Sequence, residues 1–237
     1  MIMNDIRLSW MSMATPQPLL PDHVHLWRID LDATHPAMLR PLLSPDEQQR
    51  ATRLRFEQHR DRFIVGRGML RTILGRYAGI APAQLQFQYG EHGKPTLADA
   101  SGGLQFNLAH SQHLALLAVC RERRVGVDLE AIGDADYETV AQRFFAEAEI
   151  AALRQLPLAA RRAAFYRCWT CKEAVVKALG AGLMLNLRRF VIDFMPDQPP
   201  GIRFLTDPAR AMRWRLFNLA LEPGYAAALV VEQIPDI

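Results

Sequence analysis

Apolar positions follow two rhythms along this chain, one of period two and one near 3.6, and each change of rhythm marks an element boundary. His23 to Leu31 alternates as a strand. Ser44-Pro45-Asp46-Glu47 opens a helix with an N-cap serine, a proline in the first turn and a capping-box glutamate. The helical pattern, as a hairpin or one broken helix, runs to Tyr77 and stops before Gly79. A short strand from Leu85 to Tyr89 leads into the tight turn Gly90-Glu91-His92-Gly93-Lys94-Pro95. Leu104 to Leu108, His113 to Val119 and Val125 to Glu130 follow as strand-like runs with short polar turns between them, which predicts an antiparallel meander.

Helical spacing returns from Tyr137 to Leu156 and from Ala159 to Leu179, the second helix closed by Gly180 and Gly182. Strands are predicted at Phe190 to Phe194, Ile202 to Leu205, Met212 to Leu221 and Tyr225 to Val231, with Glu222-Pro223-Gly224 as the last hairpin turn. Helices then strands, twice over, predict an α+β fold of two halves. Residues 1–22 lack a period, contain Thr15-Pro16-Gln17-Pro18 and read as a loose leader. The N-terminal half is assigned to residues 23–117 and the C-terminal half to 118–237.

Composition narrows the function classes. Half of the 237 residues are hydrophobic, enough for a sizeable core. No apolar run reaches the ~18 residues of a membrane span, and the N-terminus has no secretion signal, so a soluble, unexported, cytoplasmic protein is expected. A net charge of +3, with arginines scattered among acidic residues, gives no nucleic-acid footprint. Only Lys94, Lys172 and Lys177 among the 28 basic residues are lysines, which singles those positions out. Cys120, Cys168 and Cys171 are an odd set suited to a reducing compartment. The Cys168-x-x-Cys171 pair has no second ligand pair and reads as two small core residues.

On the strand Val125 to Glu130, period two sends Val125, Val127 and Leu129 to one face and Gly126, Asp128 and Glu130 to the other. The two carboxylates, roughly 6.5 to 7 Å apart at Cα, repel unless a cation lies between them. Oxygen ligands without His or Cys favour magnesium over zinc. A solvated acidic edge is the plainer alternative. On the helix from Phe165 to Leu179, Glu173 and Lys177 fall about 40° and 80° from Trp169, at the border of the apolar stripe. An i,i+4 ion pair between them would account for both without any function. Lys172 instead projects among apolar side chains and needs a carboxylate partner or solvent for its ammonium.

Gly93-Lys94-Pro95, Phe106-Asn107-Leu108-Ala109-His110-Ser111, Gly126-Val127-Asp128-Leu129-Glu130, Arg143-Phe144-Phe145 with Glu149, and Trp169-x-x-Lys172-Glu173-Ala174-x-x-Lys177 with Gly180-x-Gly182-Leu183 closely resemble, in this order, the surfactin-type 4'-phosphopantetheinyl transferases. That resemblance implies transfer of the phosphopantetheine arm of coenzyme A to a serine of an apo acyl or peptidyl carrier protein. It implies one magnesium ion, with manganese as the alternative, on Asp128, Glu130 and Glu173. Lys177 would contact the diphosphate, and Glu173 or a water on the ion would take the serine proton. Arg50, Arg62, Lys94 and His110 match positions that bind coenzyme A. Ala109 stands where many members have serine, and Ala181 where lysine is frequent, which bears on nucleotide affinity and carrier contact. The resemblance further implies a monomer of two halves related by a pseudo-two-fold, with a hinge near Leu117 to Arg124.

Overall fold

Strands buried on both faces form the middle of the molecule, and one long helix covers each outer side. The computed structural model describes residues 6–14, 18–91, 93–98, 101–182, 185–196 and 198–233. Thr15, Pro16 and Gln17 of the expected leader, His92 of the turn and Leu183 of the glycine motif lie outside the described residues.

The N-terminal half contains β1 (Arg7–Trp10), β2 (His23–Asp30), α1 (Pro36–Leu39), α2 (Pro45–Thr52), α3 (Glu57–Ala78), β3 (Phe87–Tyr89), β4 (Pro95–Leu97), β5 (Leu104–Ser111) and β6 (Leu114–Arg121). The C-terminal half contains β7 (Val125–Ala131), α4 (Tyr137–Phe144), α5 (Glu147–Gln155), α6 (Leu158–Leu179), β8 (Phe190–Asp193), β9 (Gly201–Phe204), β10 (Trp214–Asn218) and β11 (Tyr225–Glu232). One sheet has the order β1-β2-β6-β5 and the other β10-β11-β7. Two small hairpins, β3-β4 and β8-β9, flank them.

Alternation along the strands separates three cores. Trp27, Ile29, Leu117 and Val119 pack under α3 against Leu70, Ile73 and Leu74. Ala228, Val230, Trp214 and Leu216 pack under α6 against Phe165, Cys168, Cys171 and Val175. The opposite faces, with Leu26, Leu116, Ala118, Val127, Leu129 and Leu229, close on one another between the sheets. The order of layers is therefore helix, sheet, sheet, helix.

The halves repeat one plan. Helices α3 and α6 are both 22 residues long and end at Gly79 and Gly180 in the left-handed region, where a residue lacking Cβ is at no disadvantage. The fifteenth residue of each is a buried cation, Arg71 in α3 and Lys172 in α6. Arg71 meets Glu47 of α2, and Lys172 meets Glu149 of α5. Each glutamate also accepts the backbone N–H three residues before it, from Ser44 and from Ala146, so one carboxylate caps its own helix and neutralises the next.

Four expectations change. The meander is broken after β6, because β7 pairs with β11 and belongs to the second sheet. Residues Arg7–Trp10 are a strand, not a loose leader, and pair parallel to β2. The helix expected from Tyr137 to Leu156 is two helices, interrupted where Phe145 takes an extended backbone and Glu149 caps the second. The division drawn at 117/118 cuts through β6, which is continuous to Arg121.

Candidate active site

Strand β7 and helix α6 approach so closely that only glycine fits between them. A Cβ on Gly126 would lie 2.2 Å from Ala174 O and 2.3 Å from Ala178 N, both main-chain atoms of α6. This approach carries the polar face of β7, with Asp128 and Glu130, against the helix face of Glu173 and Lys177. Alternation sends Val125, Val127 and Leu129 into the core between the sheets, as expected.

Asp128 is buried, and its Oδ1 accepts from Lys177 Nζ at 2.6 Å. Its Oδ2 is buried without a hydrogen-bond partner among the described residues. Burial raises the Asp128 pKa despite Lys177. Burial and then the charge of Asp128 raise Glu130, and burial, Asp128 and Glu130 together raise Glu173. The three carboxylates thus lie in one another's field, with Lys177 as the cation between them. The i,i+4 pair is not the one formed, since Lys177 turns to Asp128 and Glu173 makes no hydrogen bond or ion pair among the described residues.

Two side chains of β5 join this strand to the N-terminal half. Asn107 Oδ1 accepts from Val127 N at 2.8 Å, and Ser111 Oγ accepts from Ala131 N at 3.0 Å. Ser111 Oγ also donates to Glu130 Oε2 at 3.0 Å and orients that carboxylate. Both serve where two sheet edges meet without a backbone ladder between them.

His110, next along β5, retains solvent exposure, yet desolvation lowers its pKa and Lys177 and Arg50 lower it further. Arg50 is exposed at the end of α2, with its guanidinium 5.3 Å from the centre of the Phe63 ring. Lys177 and Arg50 therefore form a cationic margin beside the carboxylates, with His110 held toward its neutral form between them. Arg62 is not among them in any described contact, because it grips Asp32 through Nε and Nη2 at 2.8 and 2.7 Å. Lys94 reaches the site from the other half, with Nζ donating to Val125 O at 2.8 Å and Lys177 O at 2.7 Å.

Lys172 has the carboxylate partner its position demands. Its ammonium lies 2.9 Å from Glu149 Oε2 and donates to Leu187 O and Phe190 O. Cys168 and Cys171 are buried, and burial raises both thiols, Cys171 to about 12. Such thiols lack the exposure and thiolate character of a redox pair.

Residues 124–230 match the model of the 4'-phosphopantetheinyl transferase superfamily, and residues 32–122 match that of the 4'-phosphopantetheinyl transferase N-terminal region. Over 228 residues the chain is 43% identical to the 4'-phosphopantetheinyl transferase HetI of Nostoc sp., covering 94% of this chain and 93% of that protein. The chain belongs to the 4'-phosphopantetheinyl transferase family. A putative 4'-phosphopantetheinyl transferase of Synechocystis sp. is 34% identical over 208 residues, covering 87% of this chain and 81% of that protein. The transferase Sfp of Bacillus subtilis is 25% identical over 187 residues, covering 79% and 81%. The two family matches meet between 122 and 124, at the junction of β6 and β7.

Whether the acidic group suits a divalent cation is decided by its chemistry and its closeness. Among the described residues, no three His, Cys, Asp or Glu side chains stand close enough to cage an ion as they are placed. The donors are all hard oxygens, however, with one buried carboxylate oxygen lacking a partner among the described residues and three mutually repelling charges, which suits magnesium. Ser111, Asn107 and Gly126 had no role in the sequence reading beyond membership of motifs. The one available signal for Gly126 was a residue without Cβ on the same face as two carboxylates.

Proposed function

We propose that this protein transfers the 4'-phosphopantetheine group of coenzyme A to the serine hydroxyl of an apo acyl or peptidyl carrier protein and releases 3',5'-ADP. The observation that carries the proposal is that three carboxylates of β7 and α6 lie in one another's field, one of them paired with Lys177, beside His110 and the cationic Arg50. Asp128, Glu130 and Glu173 would hold one magnesium or manganese ion, which when bound neutralises the diphosphate and polarises the reacting phosphate.

Glu173 accepts the serine proton. Its carboxylate makes no hydrogen bond or ion pair among the described residues, so an oxygen is open to a proton donor. The serine oxygen then bonds to the phosphorus that bears the pantetheine arm, and the bond from that phosphorus to the bridging oxygen of 3',5'-ADP breaks. Lys177 exchanges Asp128 for the diphosphate and offsets the negative charge gathering on the leaving group. Arg50, Arg62 and His110 contribute to holding the nucleotide end, with Arg62 leaving Asp32 to do so. We further place the protein with the two-half, surfactin-type members, working as a cytoplasmic monomer on carriers of polyketide or nonribosomal peptide synthesis. The paired family matches and the repeated helix–glutamate plan support this reading.

The test is incubation with coenzyme A, magnesium and a set of apo carrier proteins, followed by mass measurement of each carrier. One phosphopantetheine should be gained, and the gain should vanish in Asp128→Ala and Glu173→Ala. Release of 3',5'-ADP without any change in carrier mass would make the protein a diphosphate hydrolase instead.

A further inference from the structure

We propose that Lys94 is a positioning residue, a strut from the N-terminal half that sets the spacing between the strand and the helix on which the proposed reaction depends. The inference rests on the functional reading above for its kinetic consequence, but not for its structural one. Lys94 directly precedes β4, in a turn closed by Gly90 N–H to Lys94 O at 3.1 Å, so its backbone belongs to the β3-β4 hairpin. Its ammonium spans to the other half and binds two main-chain carbonyls, Val125 O at the start of β7 and Lys177 O in the last turn of α6.

Those two carbonyls flank the contact that brings the site together. Next to Val125 is Gly126, the residue pressed against α6, and Asp128 is three residues along the strand from Val125. Lys177 O belongs to the residue whose side chain reaches Asp128 at 2.6 Å. Lys177 O also accepts from Gly180 N at 3.3 Å and is one of the helix-terminal carbonyls that a cation satisfies best. With two of three N–H donors committed to the main chain, Lys94 resembles a helix cap more than a free phosphate ligand. Among the described residues no carboxylate contributes to its surroundings, and burial pushes its pKa down to about 8. A desolvated cation kept without a counter-charge points to a fixed geometric task for these hydrogen bonds.

The roles of strut and direct phosphate ligand separate experimentally in Lys94→Met. Acting as a strut, the residue takes one donor from each of two carbonyls when removed, and leaves Lys177 O with Gly180 N alone. The thermal midpoint should fall, half-saturation by magnesium should rise by about 10-fold, as for loss of a supporting contact behind metal ligands, and kcat should drop. Binding of coenzyme A in the presence of a chelator, followed by calorimetry, should change by less than about 2-fold, since no contact to the nucleotide is lost. A coenzyme A affinity weakened about 10-fold or more, with an unchanged midpoint and unchanged magnesium dependence, would overturn the strut in favour of a phosphate contact. Lys94→Gln, which retains one donor, should be intermediate in midpoint and magnesium dependence, and it replaces Lys94→Met if that variant does not fold. Should the wild type show neither transfer nor magnesium dependence, the transferase reading fails by itself, and the midpoint alone then decides the strut: a fall supports it and no change rejects it.

Discussion

Lys172 and Glu149 form an ion pair of 2.9 Å in which both side chains are sealed from solvent. The helix α6, the cap of α5 and the start of β8 all meet there, because Glu149 also accepts from Ala146 N and Ile192 N at 2.7 Å each. Arg71 and Glu47 repeat the arrangement under α3 at 2.6 Å. Each half is thus built around one buried charge pair that joins a helix cap to its long helix.

Loss of one partner should therefore act on stability before chemistry. Lys172→Met or Glu149→Gln is expected to cost about 3 to 5 kcal/mol, since each leaves a buried charge unpaired. The double variant Lys172→Met/Glu149→Leu should lose less than the two single losses added together. Urea unfolding of the three variants checks this, and strict additivity would reject the pairing.

Gly126→Ala should damage both fold and activity. Its Cβ has no room before two main-chain atoms of α6 at 2.2 and 2.3 Å, so strand and helix must separate. A destabilisation of about 1 to 3 kcal/mol or more is expected, with turnover lowered as Asp128 leaves Lys177. Gly133→Ala, whose nearest added contact is Tyr166 Oη at 3.6 Å, is the control and should fold and turn over as the wild type does.

The acidic group should resist the metal-free fold at neutral pH. Asp128, Glu130 and Glu173 have raised pKa values when folded, so the folded state binds these protons more tightly. Their effect favours the fold below the ordinary carboxylate range and is lost as pH rises through the raised values. Glu173→Gln should accordingly raise the metal-free thermal midpoint at neutral pH while abolishing transfer. Magnesium at 100 times its Kd should stabilise the wild type by about 2.7 kcal/mol and the variant by much less. Equal magnesium shifts in both proteins would remove Glu173 from the ion.

His25 should govern part of the acid side of stability. It is buried against Tyr77, with Nδ1 2.7 Å from the hydroxyl and Nε2 unpartnered among the described residues, and burial followed by His23 lowers its pKa to about 4. The unfolded chain takes up this proton first, so the contribution is complete above the ordinary histidine pKa of 6.5 and is lost as pH falls toward 4. The slope is about 1.4 kcal/mol per pH unit within that window. His25→Asn should be less stable near neutrality but should lack this slope when urea midpoints are compared at intervals down to pH 4. A variant with the wild-type slope would place the titration elsewhere.

Where a feature depends on neighbours within one turn or one pleat, it was legible in the residue order. Two-residue alternation alone puts Asp128 and Glu130 on one face and Val125, Val127 and Leu129 on the other. Helical spacing alone puts Lys172 among apolar side chains, where its ammonium needs a carboxylate partner or solvent. Long helices ending at Gly79 and Gly180, and most strand positions of the C-terminal half, follow from the same local rules.

Only the tertiary structure decided which partners those groups meet. β7 resembles β5 and β6 in pattern, yet its ladder forms with β11, about a hundred residues away, because alternation sets a face and not a neighbour. Likewise β1 carries no local mark of its parallel pairing with β2. Lys172 needed a carboxylate or solvent and found Glu149, while Lys177 had Glu173 one turn away and chose Asp128 across the sheet–helix contact. Side-chain type and period state what each residue must satisfy, and packing of distant segments under the close approach at Gly126 selects what satisfies it.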